Sequence, residues 1–97
     1  MARIAWRVRA LDELEQLRAY IARDNPQTAD AARNRILELV GMLAAHPGLG
    51  RPGRVSGTRE LVINGTPFIV PYWQPRPGEL EILAVIHGAR RWPRSSS

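Results

Sequence analysis

Residues 46–57, HPGLGRPGRVSG, hold four glycines and two prolines in twelve positions. No helix interior or central strand tolerates that composition. Proline removes a backbone donor and clashes with the preceding turn, and glycine raises the entropic cost of any regular element. The stretch is therefore a loop. It divides the chain into two parts whose apolar residues repeat with different periods.

Ahead of the loop, RIAWRV alternates, with Ile4, Trp6 and Val8 opposite Arg3, Ala5 and Arg7. That is the period of a half-buried strand. From Leu11 the spacing lengthens. Leu11, Leu14, Leu17 and Ile21 share one helical face, and Asp12 and Glu13 are expected in the first turn, where acidic groups suit the helix dipole. The helix should stop near Asp24, because DNPQ offers Asn25 as an N-cap and Pro26 as the first residue of the next helix. That second helix is expected to reach about Ala45, with Ala29, Ala32, Ile36, Val40 and Leu43 facing inward. So short a turn predicts an antiparallel helical hairpin.

After the loop come three alternating runs, 58–63, 66–73 and 79–87, separated by NGTP and QPRPGE. Both separators are turn compositions, so the runs predict an antiparallel meander. The expected class is α+β, in the order β-α-α-β-β-β, with the hairpin packed on one sheet face. Pro71 conflicts with this scheme, since proline has no place in the ladder of a central strand. A bulge in that strand is the expected resolution.

At 97 residues the chain has room for one domain, read here as residues 1–93 with a disordered tail at 94–97. The absence of cysteine excludes disulfides and thiolate–metal chemistry. Two histidines without ligand spacing give no metal site, and no cofactor motif is present. Charges run through the N-terminal segment where a secretory signal would be apolar. No run approaches the ~18 apolar residues of a membrane span. The expected location is the cytoplasm. The net charge is +5, and every one of the fourteen basic residues is arginine. Any cationic work is thus done by planar forks suited to phosphate or carboxylate, and no lysine is available as a base.

Several residues are candidates for that work. Arg51 and Arg54 lie in the glycine-rich loop, Arg59 opens the next strand, and Arg90 and Arg91 follow the last one. The start of the first strand of a meander and the end of its last lie at related ends of the sheet. The five could converge there as an anion-binding surface, or they could pair with Glu60 and Glu81. His87 continues the face of Leu83 and Val85. Nearby arginines would keep it neutral, which suits a general base and a structural histidine equally. His46, before Pro47, reads as a helix C-terminal group, and Glu79 and Glu81 as solvated charges. Trp6, Phe68 and Tyr72 fit core positions. Trp73 sits opposite the Phe68/Val70/Tyr72 face, so Trp73 and Trp92 are the candidate exposed aromatics.

The element order, the loop PGLGRPGRV-GTREL, the run TPFIVPYW and the terminal EILAVIHGARRWP together resemble the RelE/ParE superfamily of type II toxin–antitoxin toxins. The resemblance covers about Arg3 to Pro93. It implies a growth-inhibiting toxin neutralised by a cognate antitoxin, a small acidic protein whose C-terminal segment wraps the toxin. RelE-like members cut mRNA in the ribosome, whereas ParE-like members poison DNA gyrase. A RelE-like activity would fall to His87, Arg59 and Arg90. The catalytic lysines of that branch have no counterpart here, and Ile69 stands where its mid-strand arginine would be. The segments GRP and IHGARRWP are more similar to the ParE-like branch.

Overall fold

The computed structural model describes residues 1–88. The elements run β1 (Arg3–Trp6), α1 (Val8–Ala22), α2 (Pro26–Met42), β2 (Arg51–Pro52), β3 (Thr58–Val62), β4 (Phe68–Arg76), β5 (Glu79–Ile82) and β6 (Ile86–His87). They confirm the α+β order and place both helices on one face of a sheet. The sheet order is β1-β5-β4-β3-β2, with β6 also pairing β4. Strands β3, β4 and β5 form the antiparallel meander, but β1 joins β5 in parallel, so the sheet is mixed.

Helix α1 starts three residues before Leu11, because Arg7 turns the chain directly from β1 and its carbonyl accepts from Leu11 N–H at 3.1 Å. Asp12 and Glu13 therefore lie beyond the first turn. Asn25 caps α2 as expected, its side chain accepting from Thr28 N–H at 3.1 Å, with Pro26 following. The main core joins Ala10, Leu14 and Leu17 of α1 to Ile36, Val40 and Leu43. Against them pack Leu61, Ile63, Val70, Tyr72, Leu80 and Ile82 from the sheet. Each large aliphatic side chain buried there contributes roughly 1.5–3 kcal/mol. Leu11, expected inside, is 48% exposed; Ala10 takes the inward place.

The run 79–87 is two strands rather than one. Between the pairs Tyr72↔Ile82 and Ile69↔Ile86, three steps along β4 face four along the opposite chain. The extra residue reverses which parity faces the helices. Leu80 and Ile82 point inward before it and Val85 after it, while Ala84 and Ile86 join Ile69 on the far face. This irregularity also accommodates Pro71. The Pro71 carbonyl accepts from Leu83 N–H at 2.9 Å, so its nitrogen faces that same interrupted side, where no ladder bond is forfeited. Pro71 thus sits in a central strand with the break opposite it. The bulge in β4 itself falls later, between Trp73 and Arg76.

Candidate functional site

The glycine-rich loop is fastened to the sheet on both of its faces. On the helix-covered face, the buried Tyr72 hydroxyl donates to Pro47 O at 2.8 Å and accepts from Gly50 N–H at 2.8 Å. Arg59, paired in register with Tyr72, donates to Gly50 O at 2.8 Å. Burial pushes the Tyr72 hydroxyl above its ordinary pKa, an effect opposed by the Gly50 N–H and by the Arg59 charge. The hydroxyl therefore stays protonated and able to donate at neutral pH. Tyr72→Phe would leave the Gly50 N–H and the Pro47 carbonyl without this partner. We expect a loss of about 1–2 kcal/mol, read as a lower urea midpoint at unchanged slope.

On the opposite face, Glu60 is 1% exposed. Its carboxylate accepts from Arg54 N–H at 2.9 Å and from the Arg51 guanidinium at 3.1 Å, with Arg54 Nε at 3.6 Å. The Arg54 guanidinium also donates to Gly88 O at 3.0 Å, which ties the loop to the end of β6. Of the arginines expected to converge, the fold brings Arg51 and Arg54 together on Glu60 and carries Arg54 to Gly88. Arg59 is turned to the other face. Arg90, Arg91, Trp92 and the tail at 94–97 lie outside the described residues.

His87 occupies a different place. Its ring meets Phe68 edge-on, with centroids 5.8 Å apart. Both line a groove of about 670 Å³ with Glu13, Leu17 and Tyr20 of α1 and Thr28 of α2. Tyr72, opposite Arg59, and Phe68, opposite His87, are four residues apart on β4. Arg59 and His87 flank that strand from opposite sides, so their backbones are separated by roughly 13 Å along it and about 10 Å across it. Their side chains belong to separate sites.

Glu13, expected only as an acidic group in the first turn of the helix, has a different role. It is 8% exposed, and its carboxylate accepts from Val85 N–H at 3.0 Å, the region where the ladder is broken. The signal was present: Ala10, Glu13, Leu14, Leu17 and Ile21 follow the i, i+3, i+4 spacing of an inward face, and a carboxylate at such a position needs a partner.

The far face carries a third cluster. Trp73, 37% exposed, donates from Nε1 to Glu81 at 2.6 Å, and Arg7 donates to the same oxygen at 3.1 Å. The indole first, and then Arg7, hold the Glu81 carboxyl below its ordinary range. A depressed folded pKa contributes stability that is complete above the unfolded value and is lost as the pH falls through the folded one. The Trp73 Nε1–H resonance should therefore shift on acidification below the usual carboxylate range, and Glu81→Gln should abolish that titration. Among the described residues, no group of three or more histidine, aspartate or glutamate side chains could hold a metal, and no helix is long and apolar enough to cross a membrane.

A family model described as the ParE toxin of the type II toxin–antitoxin system parDE matches residues 4–92. The chain belongs to the ParE toxin family. Its relatives include the toxin-named protein Y4kP of Sinorhizobium fredii, 45% identical over 95% of this chain and 94% of that protein. Toxin RelE2 of Caulobacter vibrioides is 32% identical over 93% of this chain and 99% of its own length. Among solved structures, the chromosomal ParDE toxin–antitoxin system from P. aeruginosa superposes with a TM-score of 0.77 at 30% identity, covering 90% of this chain and 96% of that one. The YoeB/ParE toxin from Agrobacterium tumefaciens, at 19% identity and a TM-score of 0.58 over 90% and 98% of the two chains, shares the fold. This ParE family member is thus a toxin-type component of a type II module, and the family implies an antitoxin as its partner.

Proposed function

We propose that this ParE family member inhibits growth in the cytoplasm by binding an essential protein, DNA gyrase, and that its cognate antitoxin neutralises it by wrapping it with an acidic C-terminal segment. The observation that carries a binding role is how the conspicuous cations are used. Arg51 and Arg54 share the Glu60 carboxylate and Arg59 donates to the Gly50 carbonyl, so all three arginines are engaged in fastening the loop. The runner-up reading is a ribosome-dependent mRNA endonuclease. It takes support from the name of the RelE2 relative. It requires His87, Arg59 and Arg90 to work as one set, and two of these stand on opposite sides of β4.

Expression without an antitoxin separates the readings. Gyrase-linked DNA breaks and a DNA-damage response with intact mRNA are the expected result. Codon-phased mRNA cuts that disappear in His87→Ala would establish the endonuclease instead. Unimpaired growth at high expression would remove both.

A further inference from the structure

The helices pack on one face of the sheet, which leaves the far face of β1, β5 and β4 uncovered by either helix. In that far face lies a cleft of about 730 Å³, lined by Arg3, Ala5, Trp73, Pro75, Arg76 and Glu79. The bulge in β4 shapes it. Between the pairs Trp73↔Glu81 and Arg76↔Glu79, three steps along β4 face two along β5. Plain alternation would send residues three apart to opposite faces, but the extra residue brings Trp73 and Arg76 to the same one. Pairing completes a row across three strands, with Trp73 opposite Glu81 and Glu81 opposite Ala5.

Trp73 is held ready for contact. Its Nε1–H donates to Glu81 at 2.6 Å, which engages only the edge of the ring, and the residue is 37% exposed. Ala5, also exposed, contributes only a methyl group two strand spacings away, about 10 Å from Trp73 across β5. Arginines flank this gap. Arg3 and Arg76, 86% and 69% exposed, share Glu79 at 3.6 and 3.0 Å, and Arg7 shares Glu81 with the indole at 3.1 Å. Three guanidiniums against two carboxylates leave a charge of +1, and each guanidinium carries more donors than one carboxylate engages.

These features select an occupant. A fixed tryptophan flanked by arginines is the composition of a protein–protein hot spot. Glu79 and Glu81 stand between the arginines and would repel the closely spaced phosphates of a nucleic acid strand. A protein surface offers carboxylates singly, with apolar side chains between them. A second copy would set the same positive rim against itself. The net charge of +5 also draws acidic surfaces toward the chain.

We propose that the far-face cleft at Trp73 is the surface with which this chain grips its target protein. The partner is an acidic surface that seats an apolar side chain between the indole and Ala5 and sets carboxylates against Arg3, Arg7 and Arg76. This rests on the growth-inhibition reading above and specifies which surface performs it. The probe is purified DNA gyrase holoenzyme, titrated with the full chain, beside growth assays without antitoxin so that only the target is read. Trp73→Ala should weaken gyrase affinity about tenfold or more and relieve growth inhibition. That variant also removes the bond to Glu81, so Ala5→Gln separates docking from folding. It fills the cleft, leaves the indole in place, and should weaken binding about tenfold at an unchanged urea midpoint. Arg3→Gln/Arg76→Gln should bind a few-fold more weakly, with a shallower dependence on salt.

Undiminished gyrase affinity in both Trp73→Ala and Ala5→Gln would overturn the assignment and leave the gyrase reading intact. Affinity lost in Tyr20→Ala but kept in Trp73→Ala would move docking to the groove between α1 and β6. A Trp73 Nε1–H resonance that shifts with protein concentration alone would assign the cleft to a second copy. The same shift with oligodeoxythymidine would assign it to nucleic acid. Growth inhibition without gyrase affinity removes the gyrase reading, and the surface then stands only if both cleft variants still relieve the growth defect. Neither affinity nor inhibition removes both.

Discussion

Gly50→Ala should destabilise the protein by about 3 kcal/mol or more, since overpacking is compounded by lost buried hydrogen bonds. A Cβ at this position would lie 2.7 Å from both Cε1 and the hydroxyl oxygen of Tyr72, and 3.0 Å from the Glu60 carbonyl. Neither neighbour can yield cheaply. Tyr72 is 1% exposed within the main core, and the carbonyl belongs to the β3 backbone. Relief must come from lifting the loop, which breaks the Tyr72 bonds to Pro47 and Gly50 and the Arg59 bond to Gly50 together. Gly48→Ala is the control, because a Cβ there meets nothing within 4 Å. It should change stability by no more than about 0.5 kcal/mol. Urea denaturation of the two variants checks the contrast, and equal midpoints would show that the loop gives way without cost. Growth inhibition should fall with the folded fraction in Gly50→Ala and persist in Gly48→Ala.

Glu60→Ala is the second large effect, about 2–3 kcal/mol. The carboxylate is enclosed, but Arg51 and Arg54 are 54% and 38% exposed and recover hydration when it is removed. The cost therefore falls below that of breaking a fully buried pair, and most of it is the Arg54 N–H left without its acceptor. Glu60→Gln retains an amide oxygen for that N–H and should cost about 1 kcal/mol. Equal costs for the two variants would transfer the stabilisation from the backbone bond to the ion pairs. Exchange of the Arg54 amide should quicken in Glu60→Ala and stay slow in Glu60→Gln. A double-mutant cycle with Arg51→Ala should return a coupling above about 0.5 kcal/mol.

These expectations concern a loop whose existence was plain in the sequence and whose wiring was not. HPGLGRPGRVSG reads as loop throughout, yet Arg51–Pro52 within it pair with β3 as the short edge strand β2, and nothing in it announced that Gly50 abuts a tyrosine twenty-two residues on. Asn25 and Pro26 marked the start of α2 unaided, because capping is satisfied within one turn. Pro71 signalled an interrupted ladder, yet the extra residue facing it is on the opposing chain, which a reading of its own strand could not locate. The far-face position of Trp73 followed from alternation with Tyr72. The pairing of Arg51 and Arg54 with Glu60 was one of two readings left open, and register decided it: Arg51 lies opposite Glu60.

Apart from β2 and the split of the run 79–87, the sequence by itself determined the order of the elements, the division between helical and β parts, the hairpin turn and most of the inward residues. Each of these depends on interactions within a few positions along the chain. The tertiary structure decided that β1 runs parallel to β5 at an open edge, and that Glu13 serves the broken ladder at Val85. It also decided that one extra residue turns His87 to the helix side while Arg59 is spent on the loop. Those outcomes depend on pairing between segments distant in sequence. A one-residue change of register reassigns every side chain beyond it, and no local period records that choice.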